Sequence, residues 1–141
     1  MISKSAKQTQ KIAKELAEKV LRKKKNQDHA FVMALKGDLG GGKTTFVQGF
    51  AKGLGIGEKI TSPTFVIYKK YGNFYHFDCY RIKKPKEILD LGFKEIIQDP
   101  KNIVVIEWAD RIKRIIPKHA LWIDFNFVDQ NIREIDMEKI K

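Results

Sequence analysis

The sequence has one cysteine, Cys79, which rules out an internal disulfide and any metal cage built from several thiolates. Four prolines and ten glycines among 141 residues are too few for a collagen-like or low-complexity chain. Long apolar runs are missing too. The most apolar, Ile103 to Ile106, falls far short of the ~18 residues that a membrane span needs, and mean hydropathy is −0.39. The lysine-rich start leads into a helical pattern carrying Glu15 and Glu18, without the apolar core and small-residue cleavage site of a signal peptide. Together these absences point to a folded chain in a reducing cytoplasm, with no membrane partner.

Acidic residues are also scarce, with 17 Asp and Glu against 28 Lys and Arg, a net charge of +11. Residues 1–25 hold nine of the bases against Glu15 and Glu18, a net of +7 that leaves +4 for the other 116 residues. A basic surface attracts polyanions, but a solvated helix face is a simpler account of this segment than an RNA contact. The length suits one core and not two, so residues 1–141 read as one domain, with the basic helix 1–25 packed on it.

The pattern along the chain alternates strands and helices. Thr9 is a candidate helix cap, followed by Ile12, Ala13, Leu16, Ala17, Val20 and Leu21 at helical spacing. Ala30 to Leu35 is an unbroken apolar run, as in a strand buried on both faces. Phe46, Val47, Phe50, Ala51 and Leu54 mark the next helix, and Phe65–Tyr71 and Phe74–Phe77 flank Gly72-Asn73 as a hairpin. A helix between Pro85 and Pro100 buries Ile88, Leu89, Phe93, Ile96 and Ile97, and a second buried strand follows at Ile103–Ile106. Ile112, Ile115 and Ile116 suggest a short helix closed by Pro117. Leu121, Ile123, Phe125 and Phe127 alternate as a half-exposed strand, with Ile132–Ile135 as its antiparallel partner. The expected fold class is α/β, a three-layer sandwich like that of P-loop NTPases, with a mainly parallel central sheet and antiparallel hairpin additions.

Gly37-Asp38-Leu39-Gly40-Gly41-Gly42-Lys43-Thr44 matches G-x-x-x-x-G-K-[ST], the Walker A pattern, between a buried strand and an amphipathic helix. The composition gives roughly 0.006 chance matches, so accident is a poor explanation. The motif needs glycines because successive N–H groups must curl inward around phosphate at the positive end of a helix. Asp38, Leu39, Gly40, Gly41 and Gly42 would cradle the phosphates. Lys43 would bridge β- and γ-phosphates, the Thr44 hydroxyl would ligate Mg²⁺, and Thr45 would reach the α-phosphate.

Such a site also needs a carboxylate at a neighbouring strand end. Glu107 follows Ile103–Ile106 directly and is the favoured metal partner, while Asp78 follows Phe74–Phe77 and precedes Tyr80 and Arg81. Thr61-Ser62-Pro63-Thr64 reads first as an ordinary turn and only second as a sensor of the γ-phosphate or its Mg²⁺. By themselves His76 and Trp108 read as scaffold and packing, and Cys79 is too isolated for a nucleophile. Lys43, Glu107, Asp78, Thr64 and Arg81 are the candidates for catalysis, with Trp108 a conditional nucleotide contact.

GDLGGGKTTF at Gly37–Phe46, SPTF at Ser62–Phe65, HFDCYR at His76–Arg81 and IEW at Ile106–Trp108 together resemble the bacterial TsaE, or YjeE, family of tRNA threonylcarbamoyladenosine biosynthesis. The resemblance runs from Thr9 to about Arg133; where the family usually has Ala, this chain has Gly41. It implies ATP and Mg²⁺ at Lys43, Thr44 and Thr45, a switch-like SPTF loop carrying Thr61 and Thr64, acids at Asp78 and Glu107, and a functional Trp108. It also implies slow ATP hydrolysis that drives a transfer complex of TsaD- and TsaB-like partners, with any tRNA contact indirect. Arg81 either supplies charge at the γ-phosphate once a partner docks or simply pairs with Asp78. A small-molecule P-loop kinase and a basic RNA-binding module are the rival readings. The absence of an Asn-Lys-x-Asp base-reading motif favours ATP over GTP.

Overall fold

The computed structural model describes residues 1–23, 27–37, 42–61, 67–129 and 132–139. Its strands are β1 (Ile2–Ser3), β2 (Phe31–Gly37), β3 (Tyr68–Tyr71), β4 (Phe74–Asp78), β5 (Ile103–Glu107), β6 (Leu121–Phe127) and β7 (Arg133–Lys139). They form one sheet in the order β1-β7-β6-β2-β5-β4-β3. The centre, β6-β2-β5-β4, is parallel, and the edges are antiparallel through β3 on β4, β7 on β6 and β1 on β7.

Helices α1 (Ala6–Lys23) and α2 (Lys43–Gly53) cover one face, where Ala13, Ala17, Phe46 and Phe50 pack on Met33, Leu35 and Ile123. The other face is covered by α3 (Lys86–Leu89), α4 (Phe93–Gln98) and a 3-10 helix, Ala109–Ile115, through Ile88, Phe93 and Ile112. The result is the expected three-layer α/β architecture. Covering both faces explains why β2 and β5 read as unbroken apolar runs.

Several local expectations are corrected. Helix α1 is capped by Ser5, whose Oγ accepts from Gln8 N at 3.0 Å while Gln8 Oε1 accepts from Lys4 N at 2.8 Å. This is a reciprocal arrangement of the capping-box kind. Thr9 lies inside the helix, buried, with its hydroxyl 2.6 Å from that of Ser3. The stretch after Pro85 is two short helices, because Gly92 takes a left-handed φ of 85° between them, and Leu89 is exposed. Strand β6 is covered on both faces at its start, since Trp122 is buried opposite Leu121 and Ile123, whereas Phe127 is exposed. The two-residue β1 is too short to leave any periodic signal in sequence.

Small residues bring α1 and α2 together. A Cβ on Gly49 would lie 2.5 Å from the Gln10 backbone, and one on Gly53 would lie 2.7 Å from Lys14 O, so both glycines are required by close helix contact.

Candidate functional site

Strands β2, β5 and β4 end side by side, with Leu35 opposite Glu107 and Glu107 opposite Asp78. In open parallel sheets, ligands bind beyond these carboxyl ends. Strand β2 leads there through Gly37, whose φ is 127°, and a Cβ at that position would sit 2.0 Å from Phe125 O. Only glycine fits, which accounts for the first residue of the motif. Gly42, also at positive φ, precedes α2 and places Lys43 and Thr44 in its first turn.

Lys43 is 5% exposed. Its Nζ donates to Gly37 O at 3.0 Å and stands 4.2 Å from the centroid of the Trp108 ring. Thr44 Oγ1 donates to Glu107 Oε1 at 3.2 Å. The other carboxylate oxygen of Glu107 accepts from His76 Nε2 at 2.5 Å, with both residues buried. The acceptor-only carboxylate fixes the proton on Nε2, and His76 Nδ1 is buried without a hydrogen-bond partner among the described residues. Glu107 is therefore held between the P-loop threonine and a core histidine.

An oxygen-only pair of a threonine hydroxyl and a buried carboxylate suits a hard cation such as Mg²⁺, so Thr44 and Glu107 fit the ion assigned to them. Asp78 is partly buried, and its Oδ1 accepts from Tyr80 N at 3.0 Å. Thr45 lies in the same turn of α2 as Lys43 and Thr44.

Trp108 directly follows the site acid. At φ 56° and ψ 40° it is the one non-glycine residue at positive φ among the described residues. A large side chain in this region carries a cost of order 1–2 kcal/mol. The conformation turns the ring onto Lys43, with the Tyr80 ring tilted against it at 57° and 4.9 Å between centroids, and the Arg111 guanidinium 5.8 Å from the Trp108 centroid and 5.4 Å from the Tyr80 ring.

Lys43, Thr44, Glu107, Trp108 and Asp78 are thus brought to one end of the sheet. Arg81 is exposed and makes no ion pair among the described residues, with Asp78 or any other acid. Asp38, Leu39, Gly40, Gly41 and the Ser62–Phe65 loop with Thr64 lie outside the described residues.

Sequence reasoning missed two residues, His76 as the partner of Glu107 and Arg111 as the cation on Trp108. Period-two alternation puts His76 and Asp78 on the same side of β4, and the parallel register then brings that side beside Glu107. The signal was present for His76 but required the strand order. Cys79 is buried and its thiol is pushed up to about 12, first by burial and then by Asp78 and Asp110. It remains a protonated thiol with no nucleophilic character at neutral pH.

The profile of the family described as "Threonylcarbamoyl adenosine biosynthesis protein TsaE" matches residues 3–135. The chain belongs to the TsaE family. Among its TsaE relatives, the one from Bacillus subtilis is 42% identical over 108 residues, covering 74% of this chain and 66% of the relative. A Rickettsia felis TsaE is 36% identical over 138 residues, covering 94% and 75%. The crystal structure of YdiB from Bacillus subtilis superposes with a TM-score of 0.76 at 32% identity, covering 100% of this chain and 84% of that one. TsaE membership places the chain in tRNA threonylcarbamoyladenosine biosynthesis with a P-loop fold. No helix among the described residues of this TsaE-family chain is long and apolar enough to cross a membrane.

Proposed function

We propose that this chain binds ATP with Mg²⁺ and hydrolyses it, slowly alone and faster with TsaD- and TsaB-like partners, driving the cycle of a threonylcarbamoyl-transfer complex. The observation that carries the reading is the 3.2 Å bond from Thr44 to Glu107, with Lys43 buried beside them at the start of α2. A phosphate-binding turn alone would not require a buried acid on the hydroxyl that follows its lysine.

In this reading Thr44 and Glu107 would hold the metal, directly or through water, and the ion would supply positive charge against the phosphates. Lys43 exchanges its bond to Gly37 O for the phosphates and stabilises the charge that develops as the γ-phosphoryl group departs. His76 holds the Glu107 carboxylate in one orientation. Asp78 and Thr64 complete the site around the attacking water, and Trp108 lies against the nucleotide side of Lys43. The chain supplies energy to the cycle and leaves the transfer itself to its partners. The compartment is the cytoplasm, where tRNA is modified.

The test measures thermal stabilisation by ATP, GTP and ADP with and without Mg²⁺, followed by phosphate release alone and with the two partner proteins and tRNA. ATP-selective stabilisation and partner-stimulated release are expected, since a ligand of the native state raises stability by mass action. Transfer of the γ-phosphate to a small molecule instead of water would establish the kinase reading.

A further inference from the structure

A groove of about 490 Å³ runs along the seam between α1 and α2, on the outer surface of their layer. Its lining includes Lys7, Lys11 and Lys14 from α1 and Lys52 from α2, with Gln8 and Gln10 between them, and no acid is among the described residues that line it. Lys7, Lys11 and Lys14 recur at the three- and four-residue spacing that puts them on one helix face. The approach of α1 to α2 at Gly49 and Gly53 brings Lys52 alongside that row. Four cations along one seam repel one another, and no described residue of the lining carries an opposite charge. Glu15 and Glu18, the only acids of α1, do not line it.

We propose that this groove is a binding site for the phosphate backbone of RNA, distinct from the nucleotide site. Charge complementarity calls for a polyanion with phosphates spaced along the groove. An anionic membrane is a poor occupant, because Ala13, Ala17 and Val20 of α1 are buried in the core and none of the described residues that line the groove is a large apolar one that could insert. No aromatic residue is among the described residues that line the groove, so they offer bases no surface to stack on, and recognition is through phosphates without sequence preference. Relatives in the family are named for tRNA threonylcarbamoyladenosine biosynthesis, which supplies an RNA within reach. Such a site would hold the RNA while hydrolysis proceeds at the far end of α2.

The test is fluorescence anisotropy of labelled tRNA with the full chain, without nucleotide, at 50 and 200 mM salt. Four neutralised phosphates give a log–log slope near −3, a loss of about 50-fold over that range. Lys7→Gln, Lys11→Gln, Lys14→Gln and Lys52→Gln combined should weaken binding at least tenfold and flatten the slope, with ATP hydrolysis unchanged. Lys83→Gln and Lys84→Gln, in the bend before α3, with Lys94→Gln on α4, all in the layer on the opposite face, should leave affinity within twofold. Should the quadruple variant fail to fold, Lys11→Gln with Lys14→Gln carries the same prediction at a smaller size. Unchanged affinity and slope in the groove variants overturn the proposal. So does capture by phosphatidylserine vesicles without RNA binding, or loss of partner stimulation with RNA affinity intact. Because RNA binding is read without ATP, the outcome is independent of the hydrolysis assignment.

Discussion

His76 and Glu107 meet inside the protein, Nε2 to Oε2 at 2.5 Å, with no solvent reaching the histidine. The pair leaves Glu107 Oε1 facing Thr44 and fixes the carboxylate plane. Replacing the acid removes its charge but leaves Lys43 and the phosphate turn in place. Glu107→Gln should therefore bind ATP within threefold of wild type while single-turnover hydrolysis falls at least 10²-fold. Asp78→Asn should slow hydrolysis less. The opposite ranking of the two variants reassigns the metal acid to Asp78.

Removing His76 strands a buried carboxylate. His76→Ala should lower stability by about 3 kcal/mol, the cost of breaking a buried pair, and should also reduce hydrolysis about tenfold in the folded fraction. His76→Gln keeps a donor and should recover part of both. Chemical denaturation combined with single-turnover kinetics separates the two roles: loss of stability with an unchanged rate makes His76 scaffold alone.

Lys43 is nearly enclosed, between Gly37 O and the face of Trp108. Lys43→Ala should abolish turnover, because a cation that neutralises a leaving phosphoryl group in a water-poor site is worth several kcal/mol. Lys43→Arg should fail as well, since the larger, forked guanidinium cannot take the place of a compact ammonium that is 5% exposed and bonded to Gly37 O at 3.0 Å. Hydrolysis near the wild-type rate by folded Lys43→Ala defeats the P-loop assignment.

Gly49 needs no special dihedral, yet its missing Cβ is what lets α1 lie on α2, with Gln10 backbone at 2.5 Å from where that Cβ would be. Gly49→Ala should part the helices and destabilise the fold by about 2 kcal/mol, well beyond the gain from alanine's better helix propensity. A melting temperature at or above that of wild type would show that the interface gives way without cost.

The fold was largely legible because strands buried on both faces leave unbroken runs, as at Phe31–Leu35 and Ile103–Ile106, and helices leave a 3.6-residue period, as at Phe46–Phe50. Boundaries set by caps were less legible. Ser5 and Thr9 are both capping types, and which one starts α1 depends on Thr9 reaching Ser3 in the packed structure. The single helix expected after Pro85 divides at Gly92, a break that apolar spacing does not register. In the site, Lys43, Thr44 and Glu107 were legible because their chemistry is tied to a motif and a strand end. His76 and Arg111 were not, because a neutral-looking hairpin histidine and a surface arginine acquire meaning only from the strand order and from the left-handed turn at Trp108.

Under the proposed hydrolysis, two arginines compete for the role of neutralising the γ-phosphate. Arg81 follows Asp78 in sequence, is exposed and is committed to no ion pair among the described residues. Arg111 is stacked on Tyr80 and Trp108 and is already held at the edge of the cluster around Lys43. A cation held over two rings gains order 1 kcal/mol and gives up freedom to move, so Arg111 is suited to supporting Trp108 and Arg81 to being recruited. An arginine that completes the charge around a loose phosphoryl transition state raises turnover by ~10³ or more. Arg81→Ala should leave the slow rate of the isolated chain within twofold and remove at least tenfold of the stimulation by the two partner proteins. Arg111→Ala should lower both rates together by about threefold, through the displaced Trp108. Steady-state phosphate release for each variant, alone and with the partners, distinguishes these outcomes. Full stimulation in Arg81→Ala moves the completing arginine onto a partner, and a fast wild-type chain that its partners leave unchanged removes the idea of a site completed by docking.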